Sequence, residues 1–213
     1  MKLVAADWLP YSLTLKRPWQ TSHGELNQRV GRLLRLQSAD GLIGWGDCAP
    51  LPDFRIKEDT ATAFAEECAH LDLIAQQAGL PLNAWLSGEP QACFVTVNRN
   101  FGPILKCSAE AVADAHNAGF SILKFKVGVG PVSDEIAALH QLAEVLPAGL
   151  RLRLDANGAW SFADAESFIA ASAGLPIEGL EEPLATPTPD LLQKLQSTAA
   201  FPLAIDESIH LLD

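Results

Sequence analysis

Four short segments in the second half of the chain carry charged residues where apolar strands are expected to end. Lys124 and Lys126 lie in the first, and Asp155, Glu181 and Asp206 lie in the next three, at nearly equal spacings. Side chains alternate along a strand, so the two lysines share one face. Carboxylates that crowd at one level repel each other and favour a bound cation. The pattern predicts a metal-assisted site with an amine beside it.

The ligand types favour Mg²⁺ over zinc. No His or Cys stands at these strand ends, whereas zinc sites usually contain one of them, and an oxygen-only donor set suits Mg²⁺. Each acid taken singly is also typical of a helix N-cap or a solvated loop, and the lysine pair is also typical of a solvated edge strand. Taken together, three acids and two lysines favour the metal site.

The elements that must position these residues alternate strictly between strand and helix from Ala92 onward. Such repeats predict parallel strands covered by helices, with the active site at the carboxyl ends of the strands. The spacing suits a barrel and also a doubly wound sheet, but no G-x-G-x-x-G follows the first strand to support a dinucleotide fold. The expected strands are 93–97, 122–127, 150–154, 177–180 and 203–205, and the expected helices are 108–118, 134–145, 162–173 and 189–197.

The first part of the chain follows a different pattern, with strands before helices. We expect strands at 3–15, 29–37 and 42–45, the last two joined by an Asp-Gly turn, and helices at 57–78 and 82–86. Two polar loops, 18–24 and 49–54, interrupt the strand region or follow it. These elements predict an α+β domain over residues 1–90 and a β/α domain over residues 91–213.

Composition narrows the class of partner. The net charge of −11 disfavours nucleic acid, whose binding needs clustered Lys and Arg. No stretch approaches the roughly 20 apolar residues of a membrane span, and the N-terminus lacks a signal-peptide pattern. We therefore expect a cytoplasmic protein without membrane contact. Cys48, Cys68, Cys93 and Cys107 lack C-x-x-C spacing, which favours reduced, mostly buried thiols.

Motifs on four successive strands resemble those of one known superfamily. They are Lys-x-Lys ending at Lys126, Asp-Ala-Asn from Asp155, Glu-Glu-Pro from Glu181 and Asp-Glu-Ser from Asp206. In combination they resemble the muconate-lactonizing subgroup of the enolase superfamily, over essentially the whole chain. Segments 152–160 and 44–52 look most like the o-succinylbenzoate synthase family, although related epimerases and cycloisomerases share the metal and lysine motifs.

The resemblance implies both a fold and a metal site. The fold would be α/β: an N-terminal α+β capping domain followed by the first five β/α units of a TIM-type (β/α)₈ barrel. Asp155, Glu181 and Asp206 would bind Mg²⁺, with Glu182 as the register alternative to Glu181. Arg153, Asn157 and Glu207 would orient these groups without binding the ion themselves.

The resemblance also implies a reaction, in which a proton next to a carboxylate is removed and Mg²⁺ stabilises the resulting enediolate. A Lys base beside Mg²⁺ is the general pattern for enolase-superfamily sites. Lys126 would be the base, and Lys124 would favour its free amine and bind the substrate carboxylate. Cap residues would contact the substrate, unless they belong to plain connecting loops; they are Thr21, Ser22, His23, Leu51 and Phe54.

The specific activity implied is dehydration of 2-succinyl-6-hydroxy-2,4-cyclohexadiene-1-carboxylate to o-succinylbenzoate in menaquinone biosynthesis. The alternatives are a dipeptide epimerase, a muconate cycloisomerase or a non-catalytic metal-binding remnant. The sequence ends seven residues after Asp206, before the sixth strand that carries a partner lysine in the family pattern. We therefore expect residues 1–213 alone to be inactive, and exposed strand edges of an open barrel to favour self-association.

Overall fold

A computed structural model describes residues 1–21, 24–51, 56–88 and 95–211 of the chain. It divides into two compact units, Met1–Cys93 and Phe94–Asp213. The domain boundary expected near Pro90 falls in segment 89–94, outside the described residues. No helix in the described ranges combines the length and the apolar character needed to cross a bilayer.

The first unit contains an antiparallel three-stranded sheet. Its strands are β1 (Leu3–Thr21), β2 (Gly24–Ser38) and β3 (Ile43–Cys48), in the order β1-β2-β3. The predicted Asp-Gly turn is present between β2 and β3, where Gly41 has φ +90° and its N–H donates to the Ser38 carbonyl at 3.0 Å. A positive φ is readily accessible to glycine, which explains its place in the turn.

The loop predicted at 18–24 is wrong for most of its length. After a register shift between Thr14 and Trp19, β1 resumes pairing with β2 as far as Thr21 opposite Gly24. Backbone pairing does not need apolar side chains, so it continues through a polar segment that the hydrophobic pattern marks as loop. Ser22 and His23 lie outside the described residues.

One face of this sheet packs against α1 (Glu58–Gln77), which is followed by α2 (Leu82–Ser87). The helix presents small buried residues, among them Ala65 and Ala69, to glycines of β3. A Cβ atom at Gly46 would lie 1.9 Å from the Ala65 carbonyl oxygen, and one at Gly44 would lie 2.2 Å from that of Ala69. The close approach of helix and strand therefore depends on these two glycines.

The second unit is a five-stranded parallel sheet with helices, which confirms the predicted α/β class and the partial barrel. In the described residues its strands are β4 (Arg99–Pro103), β5 (Ile122–Lys126), β6 (Arg151–Asp155), β7 (Ile177–Glu181) and β8 (Leu203–Ala204), paired in chain order. Its helices are α3 (Ala109–Asn117), α4 (Val132–Val145), α5 (Phe162–Ala171) and α6 (Pro189–Thr198). Short 3₁₀ helices cover Ile104–Lys106 and Glu207–Leu211.

The first barrel strand lies later than predicted. The strand expected at 93–97 is wrong at Val95 and Val97, which are 77% and 63% exposed and lie outside any strand. Pairing with β5 begins at Arg99 opposite Leu123 instead. The alternation of apolar residues at 93–97 imitates a strand, but the partner strand determines the register. Cys93 itself lies outside the described residues.

The core of the second unit lies between the helices and one face of the sheet. Leu123, Phe125, Leu152, Leu154 and Leu180 are fully buried there, in one cluster with helical residues such as Leu139 and Phe168. Burying a side chain of this size contributes roughly 2 kcal/mol. Because successive side chains of a strand point to opposite faces, the remaining residues of β5 and β6 lie on the other side of the sheet.

The three cysteines that the structure describes are free thiols. Cys48 is buried, whereas Cys68 and Cys107 are half-buried. Burial raises the pKa of the Cys107 thiol above its ordinary value, which disfavours the reactive thiolate.

Candidate active site

The lysine pair lies on a central strand. β5 is hydrogen-bonded to β4 on one side and to β6 on the other, so the edge-strand interpretation of Lys124 and Lys126 is wrong. Both lysines are half-buried, on the face opposite the fully buried Leu123 and Phe125. The predicted alternation of β5 is therefore confirmed.

Strand pairing aligns the predicted chemistry across three strands. Lys126 pairs with Asp155 across β5 and β6, and Asp155 pairs with Glu181 across β6 and β7. All three are the last residues of their strands. In parallel β/α folds this end of the sheet is where active sites lie.

Lys124 joins the two carboxylates. Its Nζ lies 3.0 Å from Asp155 Oδ2 and 2.7 Å from Glu181 Oε2. Asp155 is only 4% exposed, so its charge is costly without such a partner. Lys126, in contrast, forms no ion pair with any residue in the described ranges.

The electrostatics of this cluster follow from burial and charge. Partial burial opposes the charged form of Lys124, but its hydrogen bonds to Glu181 and Asp155 and their negative charges outweigh burial and raise its pKa. Burial also raises the pKa of Glu181. Lys124 opposes that rise, and the neighbouring charges of Asp155 and Asp206 add to it. Two carboxylates, Asp155 and Glu181, thus share the one ammonium of Lys124.

The three predicted metal ligands are not gathered into one cluster. Asp155 and Glu181 converge on Lys124, whereas Asp206 is exposed beyond β8 and influences Glu181 electrostatically. Among the described residues, no group of three or more His, Cys, Asp or Glu side chains is arranged closely enough to hold a metal ion. The donor chemistry nevertheless fits Mg²⁺, since Asp155 and Glu181 supply carboxylate oxygens and share only one ammonium.

Asn157 and Glu207, two of the residues predicted to orient the metal ligands, lie together. The Asn157 backbone N–H donates to Asp155 Oδ1 at 3.1 Å, and its Nδ2 donates to Glu207 Oε1 at 3.3 Å. Asn157 has φ +45°, a left-handed conformation that Asn tolerates better than most residues. Asn157 thus connects the end of β6 to the segment after β8.

Arg153 bonds to a different set of residues from those expected. Its guanidinium donates to Glu178 Oε2 at 3.1 Å and to Asn98 Oδ1 at 3.4 Å. A register irregularity between Leu152 and Arg153 in the pairing with β7 accompanies the contact with Glu178. The role of Arg153 in orienting the lysines or the carboxylates stays a prediction.

The predicted substrate loops are described only in part. Leu51 forms an isolated antiparallel bridge with Ile56, and Thr21 ends β1. Ser22, His23 and Phe54 lie outside the described residues. A role of these five positions in substrate binding stays a prediction.

Two buried carboxylates escaped the sequence analysis as structural groups. Glu135 in α4 is fully buried and accepts the N–H groups of Gly128, Val129 and Gly130 at 2.7, 2.9 and 3.1 Å. Glu182 is 4% exposed and accepts hydrogen bonds from the segment after β8. A Gly-x-Gly turn followed by an acid in the next helix was the available signal for Glu135. Nothing local marks Glu182 apart from its neighbour Glu181.

The sequence of this chain resembles a known protein family and several known proteins. The family model described as "Enolase C-terminal domain-like" matches residues 107–213. The o-succinylbenzoate synthase of Thermosynechococcus vestitus is 30% identical, over 95% of this chain and 68% of its own length. The chain belongs to the enolase superfamily. The chain is also similar to the D-Ala-D/L-Ala epimerase of Cytophaga hutchinsonii. That protein is 28% identical, over 91% of this chain and 62% of its own length.

A solved structure supports the same placement in the superfamily. It is the o-succinylbenzoate synthase of Thermosynechococcus elongatus complexed with Mg in the active site, with TM-score 0.70 and 29% identity. The match covers 97% of this superfamily chain and 69% of that one. The chain thus spans about two thirds of the length of the relatives it matches.

Proposed function

We propose that this chain is the part of an enzyme that removes the proton next to a substrate carboxylate, with Lys126 as general base. The observation that carries the proposal is the pairing of Lys126 with Asp155 and of Asp155 with Glu181 at the carboxyl ends of three neighbouring strands. This pairing brings an amine without an ion-pair partner in the described residues to the same level as two carboxylates. An amine that can accept a proton, at the same level as carboxylates that could hold a metal ion, suits removal of a proton from carbon.

The two lysines have separate roles in this proposal. Lys124 remains an ammonium, because Asp155 and Glu181 hold it in the charged form, and its charge attracts the substrate carboxylate. Lys126 accepts the proton as the C–H bond breaks. In a syn-dehydration it returns that proton to the hydroxyl group, whose C–O bond breaks, and water leaves.

Asp155, Glu181 and Asp206 are the residues that would hold Mg²⁺. When bound there, the ion would act as a Lewis acid that stabilises negative charge on the substrate carboxylate, by several kcal/mol in comparable sites. Asp155 and Glu181 share a single ammonium, that of Lys124, so a further cation would find uncompensated carboxylate charge here. Two related proteins have solved structures complexed with Mg, which supports the choice of metal.

The specific reaction that we propose is conversion of 2-succinyl-6-hydroxy-2,4-cyclohexadiene-1-carboxylate to o-succinylbenzoate, a step of menaquinone biosynthesis. It is supported by the 30% identity to a protein named o-succinylbenzoate synthase. The second candidate is dipeptide epimerisation, which the relative named D-Ala-D/L-Ala epimerase favours at 28% identity. Both reactions begin with removal of a proton next to a carboxylate.

Metal binding can be tested on residues 1–213 by titration calorimetry. We expect wild type to bind Mg²⁺ and Asp155→Asn to lose most of the affinity, because the variant removes one charged ligand. Equal affinities in the two proteins, or no binding by wild type, would contradict the proposed metal site. Glu144→Gln, an exposed acid of α4, is the matched control for loss of one carboxylate.

The reaction is tested by offering both substrate classes, with Mg²⁺, to the chain and to any longer polypeptide that contains it. Formation of the aromatic product identifies the synthase, and uptake of solvent deuterium at the α-carbon of a dipeptide identifies the epimerase. Lys126→Met should abolish either activity, whereas Lys106→Met, which removes an exposed lysine, should not. Activity that survives Lys126→Met would exclude this lysine as the base.

A further inference from the structure

Glu182 is a buried carboxylate that no cation balances within the described residues. It is 4% exposed and forms no ion pair there. Its backbone has φ +45°, a left-handed conformation that is unfavourable for a residue with a Cβ by about 1 kcal/mol. A buried charge in a strained conformation needs compensation from its surroundings.

The compensation comes from one short segment after β8. Glu182 Oε1 accepts the backbone N–H of Asp206, the backbone N–H of Ser208 at 2.9 Å and the Ser208 hydroxyl at 2.8 Å. Ser208 is itself only 6% exposed. A single carboxylate oxygen therefore connects the end of β7 with three donors of the Asp206–Ser208 turn.

Strand pairing alone does not extend to this turn. β8 pairs with β7 only at Leu203 and Ala204, and the Glu182 N–H continues the pattern by donating to the Ala204 carbonyl at 3.0 Å. The pairing ends two residues before Asp206. Beyond Ala204, where strand pairing ends, the Glu182 carboxylate accepts the hydrogen bonds of the following residues.

We infer that Glu182 is a positioning residue, which fixes the Asp206–Ser208 turn against the end of β7 and so determines where the Asp206 carboxylate stands relative to Glu181. The hydrogen-bonding half of this inference rests on geometry alone. Its consequence for Mg²⁺ binding rests on the proposed function. Adjacent residues of one Glu-Glu pair thus have different tasks: Glu181 contacts Lys124, and Glu182 holds the next turn.

Hydrogen exchange of the Asp206 and Ser208 amides tests the positioning role directly. Glu182→Ala removes the acceptor and should speed exchange of both amides about tenfold, since each loses its bond to a buried carboxylate. Glu182→Gln keeps an acceptor oxygen that can occupy the position of Oε1, so exchange should stay within about threefold of wild type. Ser208→Ala, which retains the backbone bond, provides an intermediate variant should Glu182→Ala fail to fold.

The matched control is Glu135→Gln, which alters another buried carboxylate with three backbone donors, in a different turn. It should lower the melting temperature but leave the Asp206 and Ser208 amides unchanged. If Glu182→Ala exchanges like wild type at both amides, or Glu182→Gln exchanges as fast as Glu182→Ala, the inference is overturned.

Calorimetry with Mg²⁺ separates this inference from the proposed function. If both are right, Glu182→Ala weakens Mg²⁺ binding about tenfold, as loss of an outer-shell partner typically does, and Glu182→Gln restores it. If wild type does not bind Mg²⁺ but the exchange results hold, the proposed metal site fails and the positioning role is supported. If Mg²⁺ binds equally to wild type and Glu182→Ala, the metal-related half of the inference is refuted.

Discussion

The ends of β5, β6 and β7 differ from the turn after β8 in what holds them. In the first region, backbone pairing aligns Lys126, Asp155 and Glu181, and Lys124 joins the two acids at 3.0 and 2.7 Å. In the second, pairing ends at Ala204, and Glu182 supplies the connection to the turn instead. Backbone pairing places the residues of neighbouring strands side by side. The position of the turn depends instead on the contacts of one side chain.

The difference has a consequence for robustness. A ladder spreads its stability over many backbone bonds, so a side-chain change in the first region disturbs charge rather than position. In the second region, a side-chain change disturbs position as well. We therefore expect substitutions in the first region to change stability most, and those near the turn to change local order most.

Lys124→Met should have the largest effect on stability. It leaves Asp155, which is 4% exposed, and the partly buried Glu181 facing each other without the ammonium. Removing one partner of a buried ion pair costs about 3 kcal/mol, and here two carboxylates lose the same partner. Urea denaturation should show this loss in the free energy of unfolding, and added Mg²⁺ should recover part of it if the cation binds the same carboxylates.

The control for this prediction is Lys106→Met, which removes an exposed lysine from a 3₁₀ helix. We expect its free energy of unfolding to stay within about 0.5 kcal/mol of wild type, as is usual for surface substitutions. A Lys124→Met protein as stable as this control would mean that the ladder, rather than the ion pair, dominates the first region.

The same division explains what the sequence could predict. Alternation along a strand is a local property, so the shared face of Lys124 and Lys126 followed from the sequence. The strand expected at 93–97 was wrong over its described residues, 95–97, because pairing with β5 begins only at Arg99. Glu182 was named only as the alternative metal ligand to Glu181, and its structural role was missed, because its donors in Asp206 and Ser208 are distant in sequence.

Glu135→Gln should have the next largest effect. Glu135 uses both oxygens, since Oε2 accepts from Gly128 and Oε1 accepts from Val129 and Gly130. The amide nitrogen of Gln would face a backbone donor whichever way the group is turned, so at least one N–H loses its acceptor. We expect a loss of about 2 kcal/mol by thermal or urea unfolding.

The comparison with Glu182→Gln sharpens this prediction. Glu182 bonds through one oxygen, so its Gln variant should lose less stability than Glu135→Gln. Equal losses in the two variants would indicate that charge, and not the number of oxygens engaged, controls both sites.

Asn157 offers a smaller test of the turn after β8. Asn157→Ala should lower the free energy of unfolding by about 1 kcal/mol, because Ala at φ +45° is strained and the bond to Glu207 is lost. Asn157→Gly loses the same bond without the strain, so it should be less destabilised than Asn157→Ala. In both variants the Ser208 amide should remain protected if Glu182 holds the turn. Faster exchange in Asn157→Gly would assign part of that role to Asn157.

The smallest expected effect is the pH dependence contributed by Glu181. Burial, together with the charges of Asp155 and Asp206, raises its pKa above the ordinary value of 4.5, against the opposing effect of Lys124. A carboxyl group with a higher pKa in the folded state binds a proton more tightly there than in the unfolded chain. Its contribution to stability is therefore present below pH 4.5 and is lost as the pH rises through the folded pKa.

Glu181→Gln cannot titrate, so wild type should lose stability relative to this variant over that rise, and Glu144→Gln should not reproduce the difference. Parallel pH profiles for wild type and Glu181→Gln in metal-free buffer would show that Lys124 already balances the carboxylates, which removes the charge argument for a further cation.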